Sequence, residues 1–268
     1  MTNPFKADVL VVKLSGKALT ADKALDALFA ALAGSAANAE RTRVVLVHGG
    51  GVEVDALMRG LDRPIDRIEG LRVSPDEDMP VIAGALAGTC SLKLRGAAQR
   101  AGLMPLGLCA TDAGIGRVVP ADPRLGRVGV IEPGDSAAKR RLQALLDAGF
   151  TPVISSVGMD AAGARWNINA DDAAVASAAL LGAPLIFLSD VPGVLDANKH
   201  LFEQLNEKQA ETLIAEGVIS GGMTVKVRAA FRAAAMTGKP VAAASVFDPM
   251  LPNKLASGQL PGTTFTLE

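Results

Sequence analysis

Short apolar runs of strand length alternate along the chain with longer segments whose apolar residues recur at helical spacing. The short runs predict strands at 9–14, 44–47, 104–108, 152–157, 185–188 and 240–245. The helical spacing predicts helices at 21–32, 52–61, 75–101, 137–148, 173–182 and 205–216, and a last one ending near 237. Residues 65–69 have the pattern of one half of a small β-hairpin, and residues 115–131 have the pattern of a whole one. The alternation indicates an α/β protein with a mainly parallel central sheet.

The most distinctive turn follows the apolar run at 44–47, where His48 leads into the triplet Gly49, Gly50 and Gly51. The backbone of a strand-to-helix turn presents free N–H groups, and the helix dipole adds partial positive charge. Three glycines remove every side chain that would hold an anion away from that backbone. The alternative is a tight turn that is merely rich in glycine, but a triplet between strand and helix favours phosphate binding.

Three basic residues lie in or beside the predicted strands, turns and helix starts of the first 75 residues. Lys13 falls inside the first predicted strand, where an ammonium group is costly unless an anion meets it, so we interpret it as functional. Lys17, in the turn that follows, is interpreted as a solvated loop cation. Arg72 precedes a helix start at which Ser74 and Glu77 have the pattern of a capping box. The arginine and the helix N-terminus could clamp a carboxylate, and a surface arginine is an equal alternative.

Polar residues cluster where the alanine-rich helix is predicted to begin: Asn167, Asn169, Asp171 and Asp172. Helix capping needs only one such residue, so the cluster indicates a further role. A second glycine-rich turn, at 220–226, also leads into a helix and carries Lys226. Two lysines and two anion-binding turns without an obvious base fit phosphoryl transfer to an acceptor that is already ionised, such as a carboxylate.

Composition narrows the class of protein. The 268 residues suffice for one large domain or two lobes, and 49% are hydrophobic but only 3% aromatic. A net charge of −1 indicates neither nucleic acid nor an anionic membrane surface as a partner. There is no signal-peptide pattern and no apolar stretch of about 18 residues. Cys90 and Cys109 lack metal-ligand spacing and are interpreted as reduced thiols, which indicates a cytoplasmic protein. His48 is expected to pack and hydrogen-bond locally.

Six segments, in the same order and over nearly the whole chain, resemble the amino acid kinase family. They are Val12-Lys13-Leu14-Ser15-Gly16, Val47-His48-Gly49-Gly50-Gly51, Gly70-Leu71-Arg72-Val73-Ser74, Asn167-Ile168-Asn169-Ala170-Asp171, Leu188-Ser189-Asp190-Val191-Pro192-Gly193-Val194 and Gly222-Met223-Thr224-Val225-Lys226. The third and fourth resemble the members that phosphorylate N-acetyl-L-glutamate in arginine biosynthesis. The resemblance implies a three-layer αβα sandwich with two lobes. Residues 1–174 would bind the acceptor and dimerise, and residues 175–268 would bind ATP.

The resemblance also implies roles for single residues. Lys13 and Lys226 would neutralise the phosphoryl group during transfer, and Asp171 would hold both ammonium groups in place. The acceptor would be bound by Gly50, Gly51, Arg72 and Asn167. Phosphate and ATP would be bound by Gly16, Asp190, Val191, Pro192, Gly193, Val194, Leu195, Val218, Ile219, Ser220, Gly222 and Met223. Mg²⁺ would arrive with ATP, held by phosphates and water and not by a protein metal site.

Other interpretations remain open at this point. One is a related carboxylate kinase of the aminoadipate type, acting in lysine synthesis, although net charge −1 does not suit an acidic carrier. An aspartate kinase would carry regulatory domains after the kinase domain. A non-catalytic nucleotide-binding regulator on the same fold would not need both lysines and Asp171. Ser15 replaces a family glycine, with little expected effect because its hydroxyl is small. Gly221 stands where the family commonly has a polar or acidic residue, which leaves the adenine contacts open.

Assembly is a further expectation from the resemblance. Arginine-inhibited members carry an N-terminal helix that links dimers into a hexamer. Residues 1–7 are too few to hold such a helix in water, at 3.6 residues per turn. The resemblance therefore implies a homodimer that arginine does not inhibit.

Overall fold

The structure, a computed structural model, describes residues 8–34, 42–257, 259 and 261–267. The prediction about a linking helix falls on residues 1–7, which lie outside the described residues. The strands are β1 (Val9–Leu14), β2 (Arg43–His48), β3 (Arg67–Ile68), β4 (Leu71–Arg72), β5 (Pro105–Cys109), β6 (Gly116–Pro120), β7 (Val128–Pro133), β8 (Thr151–Ser155), β9 (Val157–Met159), β10 (Arg165–Ile168), β11 (Leu185–Ser189), β12 (Gln204–Asn206), β13 (Val241–Ser245) and β14 (Thr263–Thr266). The helices are α1 (Asp22–Gly34), α2 (Gly51–Gly60), α3 (Met79–Ala83), α4 (Ser91–Arg100), α5 (Ser136–Asp147), α6 (Ala170–Leu181), α7 (Glu207–Ala215), α8 (Gly222–Thr237) and α9 (Leu251–Ser257).

The central sheet has eight strands in the order β12-β14-β13-β11-β1-β2-β8-β5, and all neighbours are parallel except β13 and β14. Alternate residues of the inner strands enter two separate apolar cores. In β1, for example, Val11 belongs to the core that includes residues of α5, α6 and α8, whereas Val12 belongs to the core that includes residues of α1, α4 and α9. Helices cover both faces of the sheet, which confirms the predicted three-layer αβα sandwich and its mainly parallel strands.

The position of β1 creates the crevice in which the site lies. The chain passes from β1 to β2 on one side and returns later to β11 on the other. Where the strand order reverses in this way, the carboxyl ends of the strands leave an open crevice that commonly binds ligands. Strands β1, β2, β5 and β8 lie on one side of the β1–β11 junction, and the four strands after α6 lie on the other.

Two predicted hairpins are confirmed. The β6 and β7 strands pair antiparallel and belong to a four-stranded sheet of order β6-β7-β10-β9. The β3 and β4 strands form a two-stranded hairpin whose turn residues, Glu69 and Gly70, have φ values of +51° and +83°. This left-handed pair is the turn geometry that suits a two-residue hairpin. The hairpin places Arg72 at the edge of the crevice.

The predicted helix at 75–101 is present, but it is not α-helical throughout. A 3-10 turn at Asp76–Asp78 leads into α3, and a π-helical segment at Gly84–Cys90 joins α3 to α4. The capping box predicted at Ser74 was wrong, because its hydroxyl is used elsewhere. Ser74 is fully buried; its Oγ donates to the carbonyl oxygen of Arg72 at 3.2 Å and accepts from Asn167 Nδ2 at 3.0 Å. No helix among the described residues is long and apolar enough to cross a bilayer.

Candidate active site

The crevice contains a cavity of about 250 Å³ at the carboxyl ends of β1 and β2 and the starts of α2 and α6. It brings together side chains and turns that are up to 157 residues apart in the sequence, from Lys13 to Ala170. Six of the residues predicted from the sequence line it: Lys13, Gly16, Gly50, Gly51, Arg72 and Asn167. The cavity therefore brings the glycine triplet, predicted to bind phosphate, next to Arg72, predicted to bind a carboxylate.

A buried ion pair joins the first strand to helix α6. The alternation of β1 directs Lys13 toward the face covered by α6, and Asp171 lies in the first turn of that helix. Lys13 Nζ lies 2.6 Å from Asp171 Oδ1, and Lys13 is only 7% exposed. Asn169 caps the helix by accepting the backbone N–H of Asp171 at 2.8 Å. The contact is a close ion pair without the alignment of a hydrogen bond, so Oδ1 can still accept from a second donor.

The second lysine is held differently. Lys226 lies near the start of α8, and its Nζ donates to Ser189 Oγ, at the end of β11, over 3.0 Å. Burial lowers the pKa of Lys226, and repulsion from Lys13 lowers it further, while Asp171 and Asp190 act in the opposite direction. The prediction was that Asp171 holds both ammonium groups. In the structure, Asp171 contacts Lys13 directly, and it attracts Lys226 electrostatically from a longer distance.

The turn after β1, at Ser15 and Gly16, touches the glycine triplet that follows β2. A Cβ placed on Gly16 would lie 3.2 Å from the backbone nitrogen of Gly51, so a side chain there would push the turns apart. His48 is fully buried, and its Nδ1–H donates to the carbonyl oxygen of Gly49 at 3.0 Å. Burial lowers the pKa of His48 from 6.5 to about 4, so the ring is neutral at neutral pH. This confirms that His48 supports the turn locally.

Arg72 is a buried residue and not a surface arginine. It is 7% exposed, and its Nη2 bonds the carboxylate of Asp55 on α2. Its Nη1 is buried and has no hydrogen-bond partner. Both carboxylate oxygens of Asp55 also accept hydrogen bonds from Arg67 Nη2, Oδ2 at 2.9 Å and Oδ1 at 3.0 Å. Because a buried guanidinium nitrogen without an acceptor is costly, Nη1 calls for an oxygen from a ligand in the cavity.

The two predicted nucleotide segments, 190–195 and 218–223, lie outside this cavity. Two of their residues serve the fold, because their side chains are buried in the core. The backbone N–H of Val194 donates to Thr263 Oγ1 at 2.8 Å, and that of Ile219 donates to the carbonyl oxygen of Leu213 at 3.1 Å. Asp190, by contrast, is exposed at the end of β11. Gly222 and Met223 form the exposed and half-buried start of α8.

Sequence reasoning missed four residues that hold the site together. Ser189 binds Lys226, Asp55 binds Arg72, and Ser74 links Arg72 to Asn167. Lys17 is the solvated loop cation that was predicted, with its side chain 67% exposed, and in addition it forms an ion pair with Asp190 over 2.8 Å, which was not predicted. Only Ser189 carried a signal, since it lies directly beside Asp190 at the end of a predicted strand.

The acidic, histidine and cysteine side chains in the described part of the chain lack the arrangements that bind metals or form reactive thiols. That part contains no group of three or more His, Cys, Asp or Glu side chains able to hold a metal ion. Both cysteines are free, and burial raises the pKa of the Cys90 thiol to about 11. Cys90 is therefore a thiol and not a thiolate at neutral pH. The site is dominated by cations and backbone donors, which suit anionic ligands.

Comparison with known proteins agrees with this geometry. Residues 8–244 match the family model of the amino acid kinase family, and the chain belongs to this family. It is 47% identical over 265 residues to an acetylglutamate kinase of Vibrio vulnificus (strain YJ016), covering 99% of each chain. It is 46% identical to an acetylglutamate kinase of Aeromonas salmonicida (strain A449), covering 96% of this chain and 98% of the relative. Among solved structures, smu.665 from Streptococcus mutans UA159 superposes with a TM-score of 0.82 at 28% identity, over 97% of this chain and 99% of that chain.

Proposed function

We propose that the chain is an acetylglutamate kinase, which transfers a phosphoryl group from ATP to the side-chain carboxylate of N-acetyl-L-glutamate in arginine biosynthesis. The product is N-acetyl-L-glutamyl 5-phosphate. The observation that carries the proposal is Arg72, which lines the same cavity as Lys13, Gly16 and the glycine triplet and whose Nη1 is buried without a hydrogen-bond partner. Relatives of that name, similar over nearly their whole length, support the choice of acceptor.

The acceptor has two carboxylates, and the cavity has two kinds of anion site. Arg72 and Asn167 hold the carboxylate that does not react, because the guanidinium offers a planar pair of donors. Asn167 is fixed by its hydrogen bond to Ser74. The backbone of Gly50 and Gly51 meets the carboxylate that reacts, at the start of α2, where N–H groups are unpaired by the helix.

Catalysis in this proposal is electrostatic. A carboxylate acceptor with a reference pKa of about 4.3 is ionised at neutral pH, so no base is required. Lys13 and Lys226 stabilise the charge that develops on the transferring phosphoryl group. Asp171 positions Lys13 and acts as neither base nor nucleophile. Lys226 is only lightly held by Ser189, and the charge of bound phosphate would favour its protonated form.

ATP binds in this proposal along 190–195 and at 218–220, with Gly222 and Met223 at the start of α8. Mg²⁺ would enter with ATP. Asp171 and Asp190 are already paired with lysines, so phosphate oxygens and water would hold the ion. When bound, it would neutralise part of the phosphate charge.

We also infer the arrangement of lobes and subunits. Residues 1–174 form the acceptor lobe and residues 175–268 the ATP lobe, which the division of the sheet at the β1–β11 junction supports. A homodimer forms through the first lobe. In support, β5 is one of the two edge strands of the sheet, and two apolar side chains, Met104 directly before β5 and Leu92 on the adjacent helix α4, are 57% and 60% exposed. A cytoplasmic location follows from ATP as substrate and from two free thiols.

The test is ADP formation measured in parallel with N-acetyl-L-glutamate, glutamate, aspartate and aminoadipate as acceptors. We expect rapid turnover with N-acetyl-L-glutamate and slow turnover with the other three. Glutamate, aspartate and aminoadipate lack the N-acetyl group, and the last two also place the side-chain carboxylate at a different distance from the other carboxylate. Faster turnover with aminoadipate or aspartate would replace the acceptor assignment. The absence of turnover with all four would overturn the kinase assignment.

A further inference from the structure

We propose that Lys17 is a third phosphate-binding cation, held by Asp190 at the mouth of the crevice until ATP takes Asp190's place. The inference rests on the proposed function, because it assigns Lys17 to the triphosphate of ATP. Lys17 has no assigned role so far, and its residue type and position predict only a solvated loop cation.

The placement of Lys17 comes from the turn after β1. It directly follows Gly16, whose backbone packs against the glycine triplet Gly49–Gly51. From there Lys17 Nζ reaches Asp190 Oδ2 at 2.8 Å, at the end of β11 and 173 residues away in the sequence. The ion pair therefore spans the crevice from the turn after β1 to the turn after β11, which are the turns on either side of the predicted path of the phosphates.

The ion pair is part of a longer row of alternating charges. Lys17 pairs with Asp190, Lys226 lies beyond it, and Asp171 and Lys13 end the row. The two lysines nearest to Asp190 both keep the pKa of that carboxyl below its usual range, the hydrogen bond from Lys17 more strongly. Three ammonium groups face two carboxylates, so the row has one unbalanced positive charge. A triphosphate would bind along it with a net gain of attraction.

Exposure along the row indicates which end faces the nucleotide. The Lys13 side chain is 9% exposed at the acceptor cavity, whereas the Lys17 side chain is 67% exposed at the mouth. A surface ion pair of this kind contributes little to stability, so exchanging Asp190 for phosphate costs little. The flexible stem of lysine lets the ammonium follow the ligand. Lys17 is therefore suited to the β-phosphate, which lies behind the transferring γ-phosphate on the side away from the acceptor and is absent from AMP.

The experiment compares Lys17→Met and Lys17→Arg in the full chain, with Lys23→Met as the matched control on the exposed surface of α1. Nucleotide affinity is measured by calorimetry without acceptor, and KM and kcat by ADP formation. We expect Lys17→Met to weaken ATP and ADP by about five- to tenfold and AMP by less than about twofold. The acceptor KM should not change. Lys17→Arg and Lys23→Met should resemble the wild type.

Two results overturn the inference. Equal weakening of ATP, ADP and AMP would show that Lys17 only clasps the two turns together through Asp190. Unchanged ATP affinity in Lys17→Met, in a wild-type background that binds ATP and phosphorylates N-acetyl-L-glutamate, would leave the proposed function intact and remove Lys17 from the site. A wild type that does not bind ATP would overturn both. Thermal unfolding of each variant confirms that the comparison is made on folded protein.

Discussion

Replacement of Gly50 by alanine tests how tightly the phosphate turn is built into the fold. A Cβ on Gly50 would lie 2.5 Å from Cys90 Sγ and 3.0 Å from Leu86 Cδ2. Heavy atoms in contact normally stay about 3.5–4.0 Å apart, so the turn or the π-helical segment must move by roughly 1 Å. Overpacking of this size costs about 1–3 kcal/mol. For a domain of this length, that lowers Tm by roughly 2–12 °C.

The assay combines thermal unfolding with steady-state kinetics. Gly50→Ala should lower Tm by the amount above and reduce kcat/KM at least about tenfold, because the displaced backbone no longer meets the phosphate. Gly51→Ala is the matched control for stability, since a Cβ there has no atom within 4 Å. Its Tm should equal that of the wild type.

The sulfur of Cys90 provides the rescue. In Gly50→Ala/Cys90→Ala the closest atom is gone, and the Cβ of residue 90 lies 3.4 Å from the new methyl group. The double variant should regain at least about half of the Tm lost, measured against Cys90→Ala alone. An unchanged Tm in Gly50→Ala, or purely additive effects of the two substitutions, would refute the packing described for this turn.

The remaining predictions concern charge, acceptor binding, pH and assembly. Lys13→Ala and Lys226→Ala should each reduce kcat by about 10²–10³-fold with a smaller change in KM; near-normal turnover in either purified variant would remove that lysine from the mechanism. Arg72→Lys should raise the acceptor KM and leave the ATP KM unchanged, because lysine cannot make the bidentate contact, and an unaltered acceptor KM would place Arg72 outside the site. The lowered pKa of His48 means that only the unfolded chain binds a proton there between about pH 6.5 and about pH 4. The free energy of unfolding should therefore fall as pH is lowered through this window, by up to about 3 kcal/mol, and denaturant titrations should show a weaker dependence in His48→Gln. Light scattering should give twice the chain mass of 27.4 kDa, with no effect of arginine on activity, and Met104→Glu should shift the protein toward the monomer; a hexamer or arginine inhibition would contradict this.

Much of the framework follows from the sequence because it depends on local periodicity. Fully buried strands appear as continuous apolar runs, and β1 and β2 are buried along nearly their whole length. The same logic identified Lys13, since a lysine in such a run needs an anion, which Asp171 supplies. The glycine triplet was interpretable for a similar reason, as its neighbours in the sequence are a strand and a helix.

The features that could not be predicted depend on partners far apart in the sequence. Ser74 had the local pattern of a helix cap, but Asn167, 93 residues away, takes its hydroxyl. Lys17 is exposed as predicted, but its ion pair could not be predicted because Asp190 comes 173 residues later. The role of Asp55 likewise depends on the β3–β4 hairpin folding back over α2. Local propensity carries no information on such contacts, which only the topology of the sheet creates.

Trapping of the acyl phosphate with hydroxylamine is the most direct test of the central claim, that this crevice joins ATP to the side-chain carboxylate of N-acetyl-L-glutamate. The account predicts one hydroxamate on the side-chain carboxyl for each ADP formed, and loss of both products together in Lys226→Ala. Formation of ADP without hydroxamate, or of hydroxamate on the other carboxyl group, would contradict it.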